Sequence, residues 1–243
     1  MSEQARPRLS LRLSIKYINH SGFIIEDRDT VIMIDCCGLT RNSPEVVSCR
    51  GKTLYILASH VHGDHFDSAI MTFGTGKCQW ILSGDIREKT IPGKNMHFLY
   101  KGNAYTDDLV TIKAYGSTDE GVSFYIETGG KKIFHAGDLN NWHWNEEETP
   151  EDAAKNEKFF LDELEYIAGE ISDLDVVMFP VDPRLGKDYT RGAEQFLDRI
   201  KTKLFIPMHF WDKMEAAAAF RPEAEKRGCR FAEIRAPGDV FEI

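Results

Sequence analysis

The sequence has no long apolar run. No stretch approaches the roughly 20 consecutive apolar residues that a membrane-spanning helix needs. Near the start, the segment Met1 to Ser14 is interrupted by Arg6, Arg8 and Arg12, which does not fit the apolar core of a secretion signal. We therefore expect neither a signal peptide nor a transmembrane helix, and no membrane partner.

Cysteine is scarce, and its spacing argues against both disulfides and a cysteine-based metal site. The five cysteines are Cys36, Cys37, Cys49, Cys78 and Cys229. Their number is odd, two are adjacent, and none forms a Cys-x-x-Cys pair. This pattern predicts reduced thiols in a cytoplasmic protein, where each cysteine acts as a small buried apolar residue.

Positive charge is also in short supply. Lysine and arginine number 30 against 39 aspartates and glutamates, giving a formal net charge of -9 and a pI near 5.4. Such a protein repels a phosphate backbone, so we expect no nucleic-acid partner. The 243 residues, 42% of them hydrophobic and 28% charged, contain no internal repeat and suit one globular domain over residues 1–243.

The first half of the chain reads mostly as strands. An antiparallel meander is predicted over Leu11–Tyr17, Phe23–Glu26 and Val31–Asp35. Thr53–Ser59 reads as a further strand that ends at a histidine, and Phe66–Phe73 as a helix after it. Other strands are predicted at Gln79–Leu82, Met96–Tyr100 and Leu109–Tyr115.

The second half alternates strands and helices after a hairpin of Val122–Glu127 and Lys132–His135. An acidic helical insertion follows around 140–171, and Thr149-Pro150-Glu151 marks a helix start within it. The acidic stretch is most simply a solvated helix face, with a lid or a dimer contact as the alternative. The later predicted elements are the strand Asp175–Val181, a helix capped by Thr190, the strand Leu204–Met208, the helix Trp211–Lys226, and strands at Phe231–Ile234 and Asp239–Ile243.

The segment His60-Val61-His62-Gly63-Asp64-His65 carries three imidazoles and one carboxylate at the end of a strand. In an extended chain His60 and His62 point the same way, and Gly63 permits a turn that aims Asp64 and His65 at a second point. Two metal ions roughly 3.5 to 4 Å apart would fit this spacing. The simpler alternative is a set of surface histidines at a helix start.

Two more candidate ligands follow strands in the same manner. Asp138 ends the segment Phe134-His135-Ala136-Gly137-Asp138, and His209 ends Phe205-Ile206-Pro207-Met208-His209. Because α/β proteins build their sites at the carboxyl ends of strands, these residues are expected beside the histidine cluster. Imidazole with carboxylate suits Zn²⁺, and also Mn or Fe.

These motifs, in this order, resemble the ligand motifs of the metallo-β-lactamase superfamily over most of the chain. The resemblance implies a four-layer αββα sandwich with a site along one sheet edge. It is nearest to the lactonase-like and metal-dependent hydrolase branch. Carried over, His60 and His62 would hold one ion, Asp64, His65 and His209 the other, and Asp138 would bridge the two.

The resemblance fails at one expected ligand. The family usually has a histidine after the strand that precedes the hairpin, and Gly116 stands in that place within Tyr115-Gly116-Ser117-Thr118-Asp119. The first ion would then have only His60, His62 and a share of Asp138, whereas catalytic zinc ordinarily has three protein ligands. We expect one firmly held Zn²⁺, with room for a second ion.

Further residues are candidates for the substrate pocket. His143, between Trp142 and Trp144, is a candidate ligand or catalytic acid, or part of an aromatic loop that packs on the core. Trp142 and Trp144 are expected to form a wall of the substrate pocket. His20 lies in a turn where related hydrolases have site residues, whereas His135 reads as a buried structural histidine. Arg184 and Lys187 could bind an anionic group, or be solvated surface charges.

The leading hypothesis is a hydrolase in which a metal-bound hydroxide, oriented by Asp64 and Asp138, attacks a small anionic ester, lactone or phosphoester. The alternative is a metal-binding sensor or scaffold that has lost hydrolysis, which Gly116 suggests. Nucleic-acid processing, which the superfamily also includes, is disfavoured by the acidic charge. The sequence leaves the oligomeric state open.

Overall fold

The computed structural model describes residues 13–74 and 77–243, and within them the strands form two sheets of seven. The first sheet has the order β14-β1-β2-β3-β4-β5-β6 and the second has the order β13-β12-β11-β10-β9-β8-β7. The strands of the first sheet are β1 Ser14–Asn19, β2 Gly22–Glu26, β3 Thr30–Ile34, β4 Thr53–Ala58, β5 Cys78–Ser83, β6 Met96–Leu99 and β14 Val240–Glu242. Those of the second are β7 Ala104–Thr106, β8 Val110–Tyr115, β9 Ser123–Thr128, β10 Lys131–His135, β11 Asp173–Pro180, β12 Lys201–Met208 and β13 Arg230–Phe231.

Each sheet is antiparallel at one side and parallel at the other. In the first sheet, β1, β2 and β3 form the predicted antiparallel meander, and β3, β4, β5 and β6 run parallel. In the second, β7 to β10 are antiparallel, whereas β10, β11, β12 and β13 are parallel. The parallel strands direct their carboxyl ends to one edge of the sandwich.

Helices cover the outer faces of the two sheets. The α-helices are α1 Pro44–Ser48, α2 Pro150–Glu170, α3 Arg191–Arg199, α4 Met214–Ala218 and α5 Arg221–Lys226. Short 3-10 segments lie at Ser68–Thr72, Gly84–Lys89 and Pro183–Asp188. The predicted αββα sandwich is confirmed.

Alternation along the strands builds two apolar layers. In β3, Ile32 and Ile34 enter a core cluster that also contains Phe124 and Val177 of the second sheet. Their neighbours Val31 and Met33 point the other way, into a smaller cluster with side chains of α1 and the 3-10 segments. The core shared by both sheets favours one domain over residues 1–243, which stays a prediction.

The acidic region after β10 contains α2, whose start matches the predicted one. Thr149 caps the helix through its hydroxyl, which accepts from the Asp152 amide, and Pro150 occupies the first turn. One face of α2 joins the main core through Phe160, Leu164 and Ile167. The helix is therefore an outer layer of the sandwich, with its acidic face exposed.

Two helix predictions were wrong in extent. The segment predicted as one helix, Trp211–Lys226, is divided into α4 and α5, because Pro222 cannot donate to a continuous helix and disfavours helical geometry before it. Within Phe66–Phe73 only the 3-10 segment Ser68–Thr72 forms. The predicted start of the first strand at Leu11, and most of the segment Met1 to Ser14, lie outside the described residues.

All five cysteines are buried and unpaired, as the sequence predicts. None of the helices formed by residues 13–74 and 77–243 is long and apolar enough to cross a membrane.

Candidate metal centre

The predicted ligands lie at the edge of the sandwich where parallel strands of both sheets end. His60 follows β4, Asp138 follows β10 and His209 follows β12. His20 comes from the turn between β1 and β2, and Asp119 from the loop between β8 and β9. The sheets thus bring together side chains that are up to 189 positions apart in sequence, between His20 and His209.

Four side chains form what we call the first donor group. They are His60, His62, Asp119 and Asp138, and one ligand atom of each lies within 4.8 Å of the others. His60 Nε2 is 3.4 Å from Asp138 Oδ2, and His62 Nδ1 is 3.6 Å from Asp119 Oδ2. Two ligands bound to one tetrahedral zinc lie roughly 3.3 Å apart, so these separations fit a metal ion.

A second donor group lies beside the first. It consists of His20, Asp64, His65 and His209, again with one ligand atom each within 4.8 Å of the others. His20 Nε2 is 3.2 Å from Asp64 Oδ2, and His65 Nε2 is 4.0 Å from the same oxygen. The two groups contain the residues that the resemblance assigns to two separate ions, together with Asp119 in the first group and His20 in the second.

Asp138 lies between the two donor groups. Its Oδ1 is 3.1 Å from His65 Nε2 and 3.4 Å from His209 Nε2, while its Oδ2 faces His60. A carboxylate in this position offers one oxygen to each group. This is the position that the sequence analysis predicts for a bridging ligand.

Two buried aspartates hold the far side of two of these imidazoles. Asp35 Oδ2 lies 2.7 Å from Nδ1 of His65, and Asp182 Oδ2 lies 2.9 Å from Nδ1 of His209. Asp35 also accepts from the amide and the hydroxyl of Ser59. These contacts leave Nε2 of each histidine directed at Asp138, which is how outer carboxylates orient metal-binding histidines.

The carboxylates make the centre attractive to cations. Burial lowers the pKa of His65, but the contacts with Asp138 and Asp35 outweigh it and raise the pKa to about 10. His209 follows the same pattern: burial lowers its pKa, and Asp138 and Asp182 raise it to about 9. Burial lowers the pKa of His60 to about 4, so this imidazole keeps a free lone pair.

Four buried donor atoms make no well-aligned hydrogen bond among residues 13–74 and 77–243, although His20 Nε2 lies 3.2 Å from Asp64 Oδ2 and His65 Nε2 lies 3.1 Å from Asp138 Oδ1. The four atoms are Nε2 of His20, Nε2 of His60, Nε2 of His65 and Oδ1 of Asp138. A buried polar atom left unsatisfied costs about 1–3 kcal/mol, so folded proteins seldom retain a group of them without a ligand. Coordination of metal would satisfy all four, and the residues therefore fit the metal that their chemistry implies.

The backbone is strained around the same centre. In the described ranges, the non-glycine residues with φ between 41° and 60° are His20, Asp35, Trp144, His209 and Trp211. This left-handed region costs energy for any residue with a Cβ, and such residues concentrate at functional sites. Each of the five belongs to a donor group, contacts one, or lines the adjoining cavity.

A cavity of about 410 Å³ opens above the donor groups. Its walls include Trp142, Trp144, Trp211 and Arg184, together with Phe159 of α2. The Arg184 guanidinium lies over the rings of Trp211 and Trp144, 4.9 and 5.8 Å from their centroids. It is fixed there by Asp182, whose Oδ2 accepts from both Nε and Nη2.

Two predicted pocket residues lie elsewhere. His143 is buried, with Nε2 3.2 Å from the carbonyl of Asp188 and Nδ1 accepting from the Asn145 amide, so both ring nitrogens are engaged within the loop. The Lys187 side chain is exposed and is not part of the cavity lining. His135 is the buried structural histidine that the sequence predicts, 2.8 Å from the Ser21 carbonyl.

Sequence reasoning missed four residues of the centre. Asp35 and Asp182 each follow a parallel strand, the same signal that identified Asp138 and His209. Asp119 lies three residues after Gly116 in the loop between β8 and β9, and its approach to His62 depends on the path of that loop. Trp211, which lines the cavity and has a positive φ of 55°, follows no motif that would have marked it in the sequence.

Comparison with known proteins places this geometry in a family. Residues 14–153, more than half of the 243, match the profile of the beta-lactamase superfamily domain. The chain belongs to the metallo-β-lactamase superfamily. A protein from Pelotomaculum thermopropionicum, described as a UPF0173 metal-dependent hydrolase, is 25% identical over 256 aligned residues, which cover 95% of this chain and 100% of that protein.

Solved structures share the metallo-β-lactamase fold of this chain. Igni18, a metallo hydrolase from Ignicoccus hospitalis, superposes with a TM-score of 0.66 at 18% identity, covering 96% of this chain and 98% of its own. CmlA, a diiron β-hydroxylase from Streptomyces venezuelae, gives 0.64 at 11% identity over 98% of this chain and 55% of its own. At these identities the likeness concerns the fold alone.

Proposed function

We propose that this protein is a metal-dependent hydrolase that acts on a small anionic substrate, such as an ester, a lactone or a phosphoester. The observation that carries the proposal is the pair of donor groups that share Asp138 at the base of one cavity. The resemblance to proteins described as metal-dependent hydrolases supports it.

The first donor group would hold one ion and the second another, with Asp138 contributing to both. A divalent ion in such a site polarises the bond to be broken and lowers the pKa of water from about 15.7 to about 7. Asp35 and Asp182 keep His65 and His209 in the orientation that presents Nε2 to the centre. Asp64, half-buried at the cavity mouth, and Asp138 would orient the attacking water.

The cofactor is proposed to be Zn²⁺, with Mn and Fe as alternatives. Imidazole and carboxylate ligands are compatible with all three metals. The diiron centre of CmlA belongs to a protein of the same fold, so the fold does not restrict the metal to zinc.

Substrate recognition is proposed to depend on Arg184. Its guanidinium lines the cavity and is held rigidly by Asp182, so little side-chain entropy is lost when it binds an anionic group. Trp142, Trp144 and Trp211 supply the apolar walls that exclude water from the reacting bond. Lys187 is exposed and lies outside the cavity lining, so we do not assign it this role. We further propose that the protein acts in the cytoplasm, which its five unpaired thiols favour.

The test is a hydrolysis screen on protein stripped by a chelator and reloaded with one metal at a time. p-Nitrophenyl acetate, a simple lactone and bis(p-nitrophenyl) phosphate represent the three substrate classes. We expect turnover of at least one class in the reloaded protein, and its loss in His65→Ala and Asp138→Ala. His97→Ala is the matched control, since His97 pairs with Gln79 away from the centre.

Arg184→Met tests the choice of an anionic substrate. It should raise KM for an ester that carries a carboxylate and leave a neutral ester of the same leaving group nearly unchanged. Absence of metal-dependent turnover in all three classes would favour a metal-binding protein without hydrolysis. Equal activity in wild type, His65→Ala and Asp138→Ala would refute the proposed centre.

A further inference from the structure

The place of the missing ligand is occupied by a side chain from α2. A Cβ built on the buried Gly116 would lie 2.3 Å from Glu163 Oε2 and 2.8 Å from its Cδ. Glu163 in turn forms an ion pair with Lys101 through Oε1, at 2.5 Å. A histidine at position 116 would require the flexible Glu163 side chain to move away from its contact with Lys101. With glycine at this position, the first donor group lacks the ligand that the family usually places there.

The loop that starts at Gly116 brings a different donor to the centre. Three residues later, Asp119 Oδ2 lies 3.6 Å from His62 Nδ1, within the first donor group. The loop is fixed on one side by Thr118, whose hydroxyl donates to the Asn140 carbonyl and accepts from the Asn140 amide. On the other side, the Val122 amide donates to the Ser59 carbonyl. Asp119 is therefore held at the site from both directions.

We propose that Asp119 is a metal ligand that replaces the absent histidine, so that the first donor group coordinates its ion through His60, His62, Asp119 and Asp138. Two independent observations support this: the approach of Asp119 to His62, and the buried, unpartnered Nε2 of His60 in the same group. The inference rests on the proposed metal centre, but it does not depend on which bond the protein hydrolyses.

The replacement of a histidine by Asp119 makes the two sites chemically different. The first donor group has two imidazoles and two carboxylates, whereas the second has three imidazoles and one carboxylate of its own, with Asp138 shared between the two. Carboxylate oxygens suit Mn more than imidazoles do, and imidazoles suit Zn. Relative to the second site, the first should favour Mn²⁺ over Zn²⁺. It should also exchange its ion more readily, because the side chains of His62 and Asp119 are 44% and 46% exposed.

The experiment counts metal ions bound per chain. Full-length wild type and the variants Asp119→Ala, Asp119→His and Glu120→Ala are stripped, dialysed against Mn²⁺ or Zn²⁺ at graded concentrations, and analysed by elemental mass spectrometry. Wild type should bind two ions. Asp119→Ala should lose one, or bind it at least about tenfold more weakly, since even outer-shell partners of metal ligands are worth this much.

The other variants separate coordination from charge. Glu120→Ala removes the neighbouring exposed carboxylate and should bind two ions with wild-type affinity. Asp119→His should keep two ions and shift the first site from Mn²⁺ towards Zn²⁺. Two ions bound with unchanged affinity in Asp119→Ala, or equal weakening in Glu120→Ala, would overturn the proposal. Loss of one ion in Asp119→Ala without hydrolysis by wild type would uphold it and refute the proposed function alone.

Discussion

At the scale of single residues, the centre depends on carboxylates that never face the cavity. Asp35 is fully buried and serves three partners: the imidazole of His65, and the amide and hydroxyl of Ser59. Ser59 immediately precedes His60. The Asp35 carboxylate therefore positions both the imidazole of the candidate ligand His65 and the backbone next to the candidate ligand His60. Asp182 likewise joins His209 to Arg184, so a candidate metal ligand and the proposed anion-binding group share one support.

Asp35→Ala should therefore weaken metal binding without removing a ligand. The expected loss is 10- to 100-fold in affinity, roughly what removing an outer-shell partner of a metal-binding histidine costs. Stability should fall too, by about 1–3 kcal/mol for each group of Ser59 left without an acceptor. Competition with a chromophoric chelator measures the affinity, and urea unfolding measures the stability. Asp108→Ala, at an exposed carboxylate, is the control; a matching loss there would contradict the assigned role of Asp35.

The candidate ligands on strand ends could be predicted from the sequence, whereas the supporting roles of Asp35 and Asp182 could not, although both residues also follow parallel strands. His60, Asp138 and His209 lie within three residues of the ends of parallel strands, and such strands converge at their carboxyl ends. The partners of Asp35 and Asp182 depend on which strands are neighbours, and a one-dimensional pattern does not contain that. His143 was a candidate because it lies between Trp142 and Trp144. Both tryptophans line the cavity, but the two ring nitrogens of His143 are engaged within the loop.

At the scale of elements, the loop between β8 and β9 must approach the end of β4 very closely. Gly121 has φ of 71°, and a Cβ there would lie 2.1 Å from the Ser59 carbonyl oxygen and 2.5 Å from His60 Cβ. Only glycine fits both the conformation and the space. This close contact holds the part of the loop that contains Asp119 against the part of the first donor group that contains His60.

Gly121→Ala should push the loop away from His60. We expect the free energy of unfolding to fall by more than about 2 kcal/mol, because steric overlap adds to the roughly 1–2 kcal/mol that a left-handed conformation costs alanine. Binding at the first donor group should weaken as well. Gly130→Ala is the matched control, since Gly130 has φ of 75° with open space around it. Gly130→Ala should lower stability only by the cost of the left-handed conformation and should leave metal affinity unchanged. Equal effects of the two variants on metal affinity would contradict the proposed role of Gly121.

Helix α2 offers a second matched pair at this scale. Phe160 is fully buried in the main core, whereas its neighbour Phe159 is 49% exposed and lines the cavity. Phe160→Ala should destabilise the fold by about 3–5 kcal/mol, and Phe159→Ala should change stability by no more than about 0.5 kcal/mol. Denaturant unfolding of both variants checks this. Comparable losses would mean that α2 packs in a different register.

The type of each element was easier to predict than its limits. The hairpin around Gly129-Gly130 and the start of α2 after Thr149 carry local turn and capping chemistry, and both formed as predicted. The division of the segment after Trp211 into α4 and α5 follows from Pro222, a local signal that the apolar periodicity of that segment obscured.

At the scale of the whole molecule, the two sheets fold around one core but meet at an edge where carboxylates and imidazoles are concentrated. The main cluster takes apolar side chains from both sheets and from α2 and α3. The donor groups take side chains from both sheets too, so a metal ion would join them. Binding of metal and stability of the fold should therefore be coupled.

Metal should raise the unfolding temperature of the chelator-stripped protein. A ligand present at 100 times its Kd stabilises the native state by about 2.7 kcal/mol per site when it does not bind the unfolded chain. Differential scanning calorimetry at graded Zn²⁺ or Mn²⁺ would show the rise. Asp138→Ala should show a much smaller one, because it removes the carboxylate common to both donor groups; an equal rise would place the binding elsewhere.

The αββα architecture could be predicted because the ligand motifs resemble, in their order, those of the metallo-β-lactamase superfamily. The pairing of the sheets, and the wall that α2 adds to the cavity, depend on long-range packing that the sequence pattern does not specify. The sequence names six candidate metal ligands, and the two donor groups contain these six together with His20 and Asp119.

The most direct test is the metal content of the full-length wild-type protein, purified without added metal or chelator and measured per chain by elemental mass spectrometry. The two donor groups predict close to two transition-metal ions per wild-type chain and a marked loss in Asp138→Ala. A wild-type protein with no bound transition metal, which also takes up none on reloading, would contradict the proposed metal centre and the hydrolase function that depends on it.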